Sequence, residues 1–120
     1  MKVNPTIFRE YDIRGIAGKE FSAKVVQEYE KWYGTFPGIT ITLDVAKAIG
    51  SAYGTIIRKS GGKEIAVGYE LRPFAKELTD AFIEGVLETG CNVTDLGISL
   101  TPIVYFIIAH NNFDGGVNVT

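Results

Sequence analysis

Glu64-Ile65-Ala66-Val67-Gly68, entered through Gly61-Gly62 and left through Tyr69-Glu70-Leu71-Arg72-Pro73, is the stretch whose reading decides the fold. It is too short for a stable helix, and an apolar run bounded by glycines reads as a strand buried on both faces, as in a parallel sheet. Downstream, Leu78, Phe82 and Val86 recur every four residues, with Ile83 and Leu87 beside them. That spacing predicts a helix with its apolar stripe on the sheet and Glu77, Asp80, Glu84 and Glu88 in water. Gly90 stands where a left-handed C-cap belongs. A second strand is expected from Asn92 to Leu96, with Val93 inward and Gly97 breaking it. Thr101-Pro102 reads as the N-cap and first residue of a helix reaching about His110. Ile103, Val104, Tyr105, Phe106, Ile107 and Ile108 make that helix apolar all round, so burial on more than one face is expected. Asn111-Asn112 closes it, Asp114-Gly115-Gly116 turns, and Val117 to Thr120 begins a third strand. Short β-branched runs alternating with helical patterns are the signature of βαβ units, hence an α/β fold with a mainly parallel sheet.

Upstream the pattern is less regular. Ile7 to Ile13 alternates imperfectly and reads as a short strand or hairpin. Ser22 to Tyr33 reads as a helix with Val25, Tyr29 and Trp32 on one face, and Gly34 to Gly38 as a loop. Thr42 caps a longer helix in which Val45, Ile49, Ala52 and Ile56 face inward, ending at Ser60-Gly61-Gly62.

The chain has 120 residues, 46% hydrophobic and 22% charged, which is the size of one domain, residues 1–120. Twelve Lys and Arg against fourteen Asp and Glu supply no basic stripe for nucleic acid and no polybasic membrane patch. The longest apolar run, Pro102 to Ala109, is well short of the ~18 residues of a membrane span, and Met1-Lys2-Val3-Asn4-Pro5 opens no signal peptide. A cytoplasmic protein with no membrane partner is expected. Cys91 and His110 are each the single residue of their type, so count alone excludes a structural Cys and His metal cluster. Cys91 reads as a small core residue and His110 as a partner of a helix C-terminus. Gly15-Ile16-Ala17-Gly18-Lys19 lacks the spacing of a phosphate loop, and no dinucleotide, nucleophile-elbow or zincin motif is present.

In open α/β sheets ligands bind beyond the carboxyl ends of the strands. Gly68 to Pro73 leaves the first strand, Gly97 to Pro102 the second, and Thr120 stands at the end of the third. Arg72, and Arg14 in Tyr11-Asp12-Ile13-Arg14-Gly15, each sit at a turn, where a guanidinium can grip an anion through two parallel hydrogen bonds. The alternative for each is a surface ion pair, Arg14 with Asp12 or Arg72 with Glu70, worth little.

Phe8-Arg9-Glu10-Tyr11-Asp12-Ile13-Arg14-Gly15 resembles the N-terminal signature of the α-D-phosphohexomutases, the phosphoglucomutase and phosphomannomutase family. It is followed, in family order, by Val67-Gly68-Tyr69-Glu70-Leu71-Arg72-Pro73, similar to V-G-x-D-x-R, by Asp95-Leu96-Gly97 and Thr101-Pro102, and by Gly115-Gly116-Val117-Asn118-Val119-Thr120. The resemblance implies a three-layer α/β/α sandwich, the first domain of such an enzyme, cut just before the loop whose phosphoserine is catalytic. No catalytic residue is then expected in this chain, the phosphoserine falling just after Thr120.

The family's reaction passes a phosphoryl group between the 1- and 6-hydroxyls of a hexose phosphate through a bisphosphate intermediate. The resemblance accordingly implies a hexose phosphate substrate, Mg bound mainly by a later domain, hexose 1,6-bisphosphate as intermediate or activator, and the remaining domains as partners. Arg14 is the candidate for stabilising the moving phosphoryl, with Tyr11 lining the cleft and Thr120 opening the phosphoserine loop. Arg72 either contacts the site or braces the strand end. Two departures stand out: Glu70 replaces the family's Asp, and the stretch from about Lys19 to Ile39 exceeds the usual link. The rival reading is a free-standing Rossmann-like or flavodoxin-like module binding a phosphorylated ligand.

Overall fold

The computed structural model describes residues 1–18 and 21–120, which form two compact units, Met1–Thr42 and Leu43–Thr120. Lys19 lies outside the described residues, and with it the end of the Gly15 to Lys19 stretch and the start of the long link to Ile39. In chain order the elements are a 3₁₀ turn at Pro5–Ile7, α1 (Ala23–Tyr33), α2 (Leu43–Lys59), β1 (Glu64–Tyr69), α3 (Ala75–Leu87), β2 (Asn92–Ile98), α4 (Thr101–His110) and β3 (Gly115–Val119).

In the second unit the three strands lie in the order β2-β1-β3, both pairings parallel. The central strand is the run expected to be buried on both faces, and Ile65, Ala66 and Val67 are fully inaccessible. Ile65 and Val67 join Phe82, Val86 and Cys91 in a core that Ile49, Tyr53 and Ile57 of α2 complete. The opposite face belongs to α4: a Cβ on Gly68 would lie 3.2 Å from Val104 Cγ2. β3 alternates in the same way, since a Cβ on Gly115 would strike Tyr53 of α2 and one on Gly116 would strike Ile108 of α4. The layers are therefore α2 with α3, the sheet, and α4, the α/β/α sandwich expected.

Four local expectations are corrected. Gly97 does not break β2, which continues to Ile98; Val67 pairs with Asp95 and Gly68 with Gly97, so Leu96 is an extra residue in a bulge and Gly97 takes φ +67°. Thr101 is not the N-cap of α4: Leu100 holds that position without a side-chain cap, and Thr101 Oγ1 instead accepts from Asn118 Nδ2 at 3.0 Å. α4 buries only Val104, leaving Tyr105 66% and Phe106 65% exposed. An all-round apolar helix is covered only as far as its neighbours reach, and in this unit the sheet covers one side. On α2, Ala52 and Ile56 are exposed while Ala46, Gly50 and Gly54 are buried with Val45. The helix is rotated so that its glycines, not its largest aliphatics, meet α3.

In the first unit the Ile7 to Ile13 stretch is the hairpin alternative: Phe8 bridges Ile13, and Arg14 N donates to Ile7 O at 2.8 Å. Ser22 caps α1 through Val25 N at 3.3 Å. No residue of α1 is buried, so the Val25, Tyr29 and Trp32 face carries no core; Tyr29 instead meets Tyr33 at a tilt and Phe36 edge-on.

The Asp114 carboxylate pins the start of β1 by accepting from Lys63 N and Glu64 N, both at 2.8 Å. The donors on Glu64 and then Lys63 hold its pKa below the usual carboxylate value. A carboxyl depressed in the fold stabilises it above the unfolded value of about 3.9 and loses that contribution as pH falls through the folded value. Asp114→Asn is expected to flatten the dependence of the urea midpoint on pH between about pH 5 and pH 2. An unchanged slope would show that these bonds do not matter to stability.

Candidate functional site

The sequence candidates divide between the units, Tyr11 and Arg14 in the first and Arg72 and Thr120 in the second. Tyr11 stands at the tip of the hairpin, where Arg9 N donates to Asp12 O at 2.9 Å, and it is 91% exposed. Beyond the hairpin the backbone is tied down: Thr40 N and Ile41 N both donate to Ile16 O, and Ile16 N donates to Thr40 Oγ1 at 2.9 Å. Gly15 makes this approach possible, because a Cβ there would lie 2.5 Å from both Ile41 Cγ1 and Thr40 Oγ1. Arg14 is thus a mobile-headed side chain on an anchored backbone. Its Nε lies 2.8 Å from Asp12 Oδ2, with the arginine side chain 75% exposed.

Arg72 and Thr120 share the carboxyl edge of the sheet. Tyr69 O accepts from Ser99 N at 2.8 Å, and Glu70 N donates to Val119 O at 2.8 Å, so the exits of β1, β2 and β3 are stitched together there. The loop from β1 is tight: Arg72 N donates to Glu70 O, Ala75 N donates to Arg72 O, and Phe74 is forced to φ +65°, a conformation costly for a bulky side chain. Arg72 Nε lies 3.6 Å from Glu70 Oε2, an ion pair too long for a hydrogen bond.

Both arginines therefore make the surface pairs that were the alternative to anion binding. Exposed pairs of this kind are worth about 0–1 kcal/mol, Arg14 uses one of its five guanidinium donors in its pair and Arg72 none, so neither pair prevents an anion from binding.

The walls of the groove at this edge come from the two exits expected to meet a ligand, Gly68 to Pro73 and Gly97 to Pro102, with Ile103 beside them. Glu70, Leu71, Arg72, Ile98, Ser99, Leu100 and Ile103 surround about 460 Å³, and the lining is mainly apolar, with Leu71 82% exposed. What sequence reasoning missed is its apolar character, whose signal was Leu71 and Leu100, aliphatics where loops usually carry small polar residues. Among the described residues no group of three or more His, Cys, Asp or Glu comes together to hold a metal, and no helix is long and apolar enough to cross a membrane.

A parallel three-stranded sheet between helices on both faces defines the class of α/β/α sandwich domains, here with an arginine-bearing loop at the carboxyl edge. Residues 30–120 match the family model of the phosphoglucomutase/phosphomannomutase alpha/beta/alpha domain I, and the chain belongs to that family. It is 34% identical over 116 residues to a phosphoglucomutase/phosphomannomutase of Thermococcus kodakarensis, covering 95% of this chain and 21% of that protein. A phosphomannomutase of Klebsiella pneumoniae is 32% identical over 115 residues, covering 96% of this chain and 59% of its own. The crystal structure of a phosphoglucomutase/phosphomannomutase family protein from Burkholderia thailandensis superposes with a TM-score of 0.69 at 31% identity, over 88% of this chain and 19% of that one. The chain thus spans about a fifth of the Thermococcus and Burkholderia proteins.

Proposed function

We propose that the chain supplies the first domain of a longer, cytoplasmic hexose-phosphate mutase, an isomerase that moves a phosphoryl group between the 1- and 6-hydroxyls of a hexose. The observation that carries this reading is the position of Gly115–Thr120. This family-signature strand runs parallel to β1 and delivers Thr120 to the same sheet edge as the Glu70–Arg72 loop. In this reading the Oγ–P bond of a phosphoserine in the loop after Thr120 breaks as one sugar hydroxyl bonds the phosphorus, the hydroxyl losing a proton and the serine oxygen gaining one. The resulting bisphosphate turns over and returns the phosphoryl group at its other position to the serine.

Transfer of this kind is accelerated chiefly by fixed positive charge around the moving group. Arg14 supplies such charge by exchanging Asp12 for a phosphoryl oxygen, and Tyr11, exposed on the same hairpin, is a second group that meets the substrate. Arg72 braces the β1 exit through Glu70 and presents its remaining donors to the site. Mg is proposed to be held mainly by a later domain, and no step is routed through it. The 1,6-bisphosphate is proposed as the released intermediate and activator.

The 120-residue chain is expected to show no mutase activity with glucose, mannose or glucosamine phosphates in a coupled assay, whereas a longer polypeptide from the same coding sequence is expected to be active. Turnover by the 120 residues alone, or none by the longer polypeptide, would overturn the reading. Tight binding of a phosphorylated ligand by the 120 residues would favour the free-standing module.

A further inference from the structure

Asn118 is out of place in its strand. It stands between Val117 and Val119 in β3, where β-branched and aromatic residues fit the pleated surface better than asparagine. Its side chain turns toward the α4 face. Nδ2 donates to Thr101 Oγ1 at 3.0 Å, and a Cβ on Gly68 would lie 3.0 Å from Asn118 Oδ1, 3.1 Å from Ser99 Cβ and 3.2 Å from Val104 Cγ2. In presenting Nδ2 to Thr101, the amide leaves Oδ1 buried without a hydrogen-bond partner. Such atoms are rare in native folds because they give up water and gain nothing in exchange. Leucine has the same number of side-chain heavy atoms branched at the same carbon, and it would bury no unpaired oxygen. Asparagine therefore works against stability here, two residues before Thr120.

Its compensating service is visible in the topology. Among the described residues β3 pairs with β1 alone, and its end is held by the bond from Glu70 N to Val119 O at 2.8 Å. The Asn118–Thr101 bond is a second tie, and it joins the end of β3 to the first residue of α4, where the loop from β2 ends.

We propose that Asn118 is a positioning residue: its carboxamide clamps the end of β3 to the start of α4 through Thr101 and so fixes the course of the chain at Thr120. The inference rests on the proposed mutase function, which locates the phosphorylated group just beyond that point. A residue retained for function at the expense of stability should show the two effects with opposite signs on replacement.

The test uses the longer active polypeptide. Asn118→Leu is expected to keep or raise Tm by a few degrees while kcat falls at least tenfold and KM stays within twofold. Thr101→Val should give a similar kcat loss, the double variant should be no worse than either single one, and Thr101→Ser, which retains the hydroxyl, should restore wild-type kcat. Wild-type kcat in Asn118→Leu, a fall in Tm that accompanies the loss, or a harmless Thr101→Val would each overturn the clamp. A wild-type polypeptide without mutase activity would remove the function and the clamp together, whereas an active one with an unaffected Asn118→Leu would remove the clamp alone.

Discussion

Gly50→Ala and Gly85→Ala are each expected to lower the melting temperature of the 120-residue chain by about 10 to 20 °C, although alanine is the better helix former by about 1 kcal/mol. Both glycines lie where α2 crosses α3. A Cβ on Gly50 would fall inside contact distance of the Phe82 carbonyl oxygen, and one on Gly85 inside that of Lys47, with Ser51 N 2.8 Å away. Backbone cannot rotate aside as a flexible side chain can, so the helices must move apart and loosen the core of Ile65, Val67, Phe82 and Val86. Overpacking of a close-packed interior costs about 1–3 kcal/mol and sometimes more. With two main-chain clashes the upper range applies, and a net loss of about 2–4 kcal/mol remains after the propensity gain. Total stabilities of small domains are only about 5–15 kcal/mol, so either variant should be severely weakened. Because one separation of the helices relieves both clashes, the double variant should lose clearly less than the sum of the two. Additive losses, or a Tm within about 3 °C of wild type for either variant, would refute the close-crossing account.

Arg14→Ala in the longer polypeptide is expected to reduce kcat by about 100- to 1000-fold, the scale of removing one donor aimed at transition-state charge. Stability should hardly change. The Arg14–Asp12 pair is exposed on both sides, and such pairs contribute about 0–1 kcal/mol, so a Tm shift beyond about 5 °C would point to a structural role instead. Arg14→Lys should recover little, because lysine keeps the charge and loses the planar fork that meets two oxygens at once. Near-normal kcat in Arg14→Ala, measured at saturating hexose phosphate, would strike Arg14 from the mechanism.

The sequence by itself determined the order of strands and helices, the parallel sheet and the family, because these depend on local periodicity and on short motifs. A β-branched run of Ile65 to Val67 between glycine turns can hardly be anything except a buried central strand. The four-residue recurrence of Leu78, Phe82 and Val86 places α3 on the sheet, with Phe82 and Val86 in its core. The hairpin carrying Tyr11 and Arg14 was legible for the same reason, as was the loop carrying Arg72.

What only the tertiary structure decided is which face each element buries and which polar groups find partners, since both depend on neighbours distant in sequence. Ile56 outranks Gly50 and Gly54 in hydrophobicity, yet it is exposed and they are buried, because the Phe82 backbone stands against Gly50 and the Thr89 side chain against Gly54, too close for a side chain on either. Tyr105 and Phe106 are as apolar as core residues and remain exposed, because only the sheet covers α4 within its unit. Gly97 looks like a stop signal, but its ladder partner Gly68 carries the strand past it as a bulge. Asn118 reads as one more residue of the third strand until its neighbours are known. Only in the folded chain does it hold Thr101 while leaving an oxygen buried and unpaired.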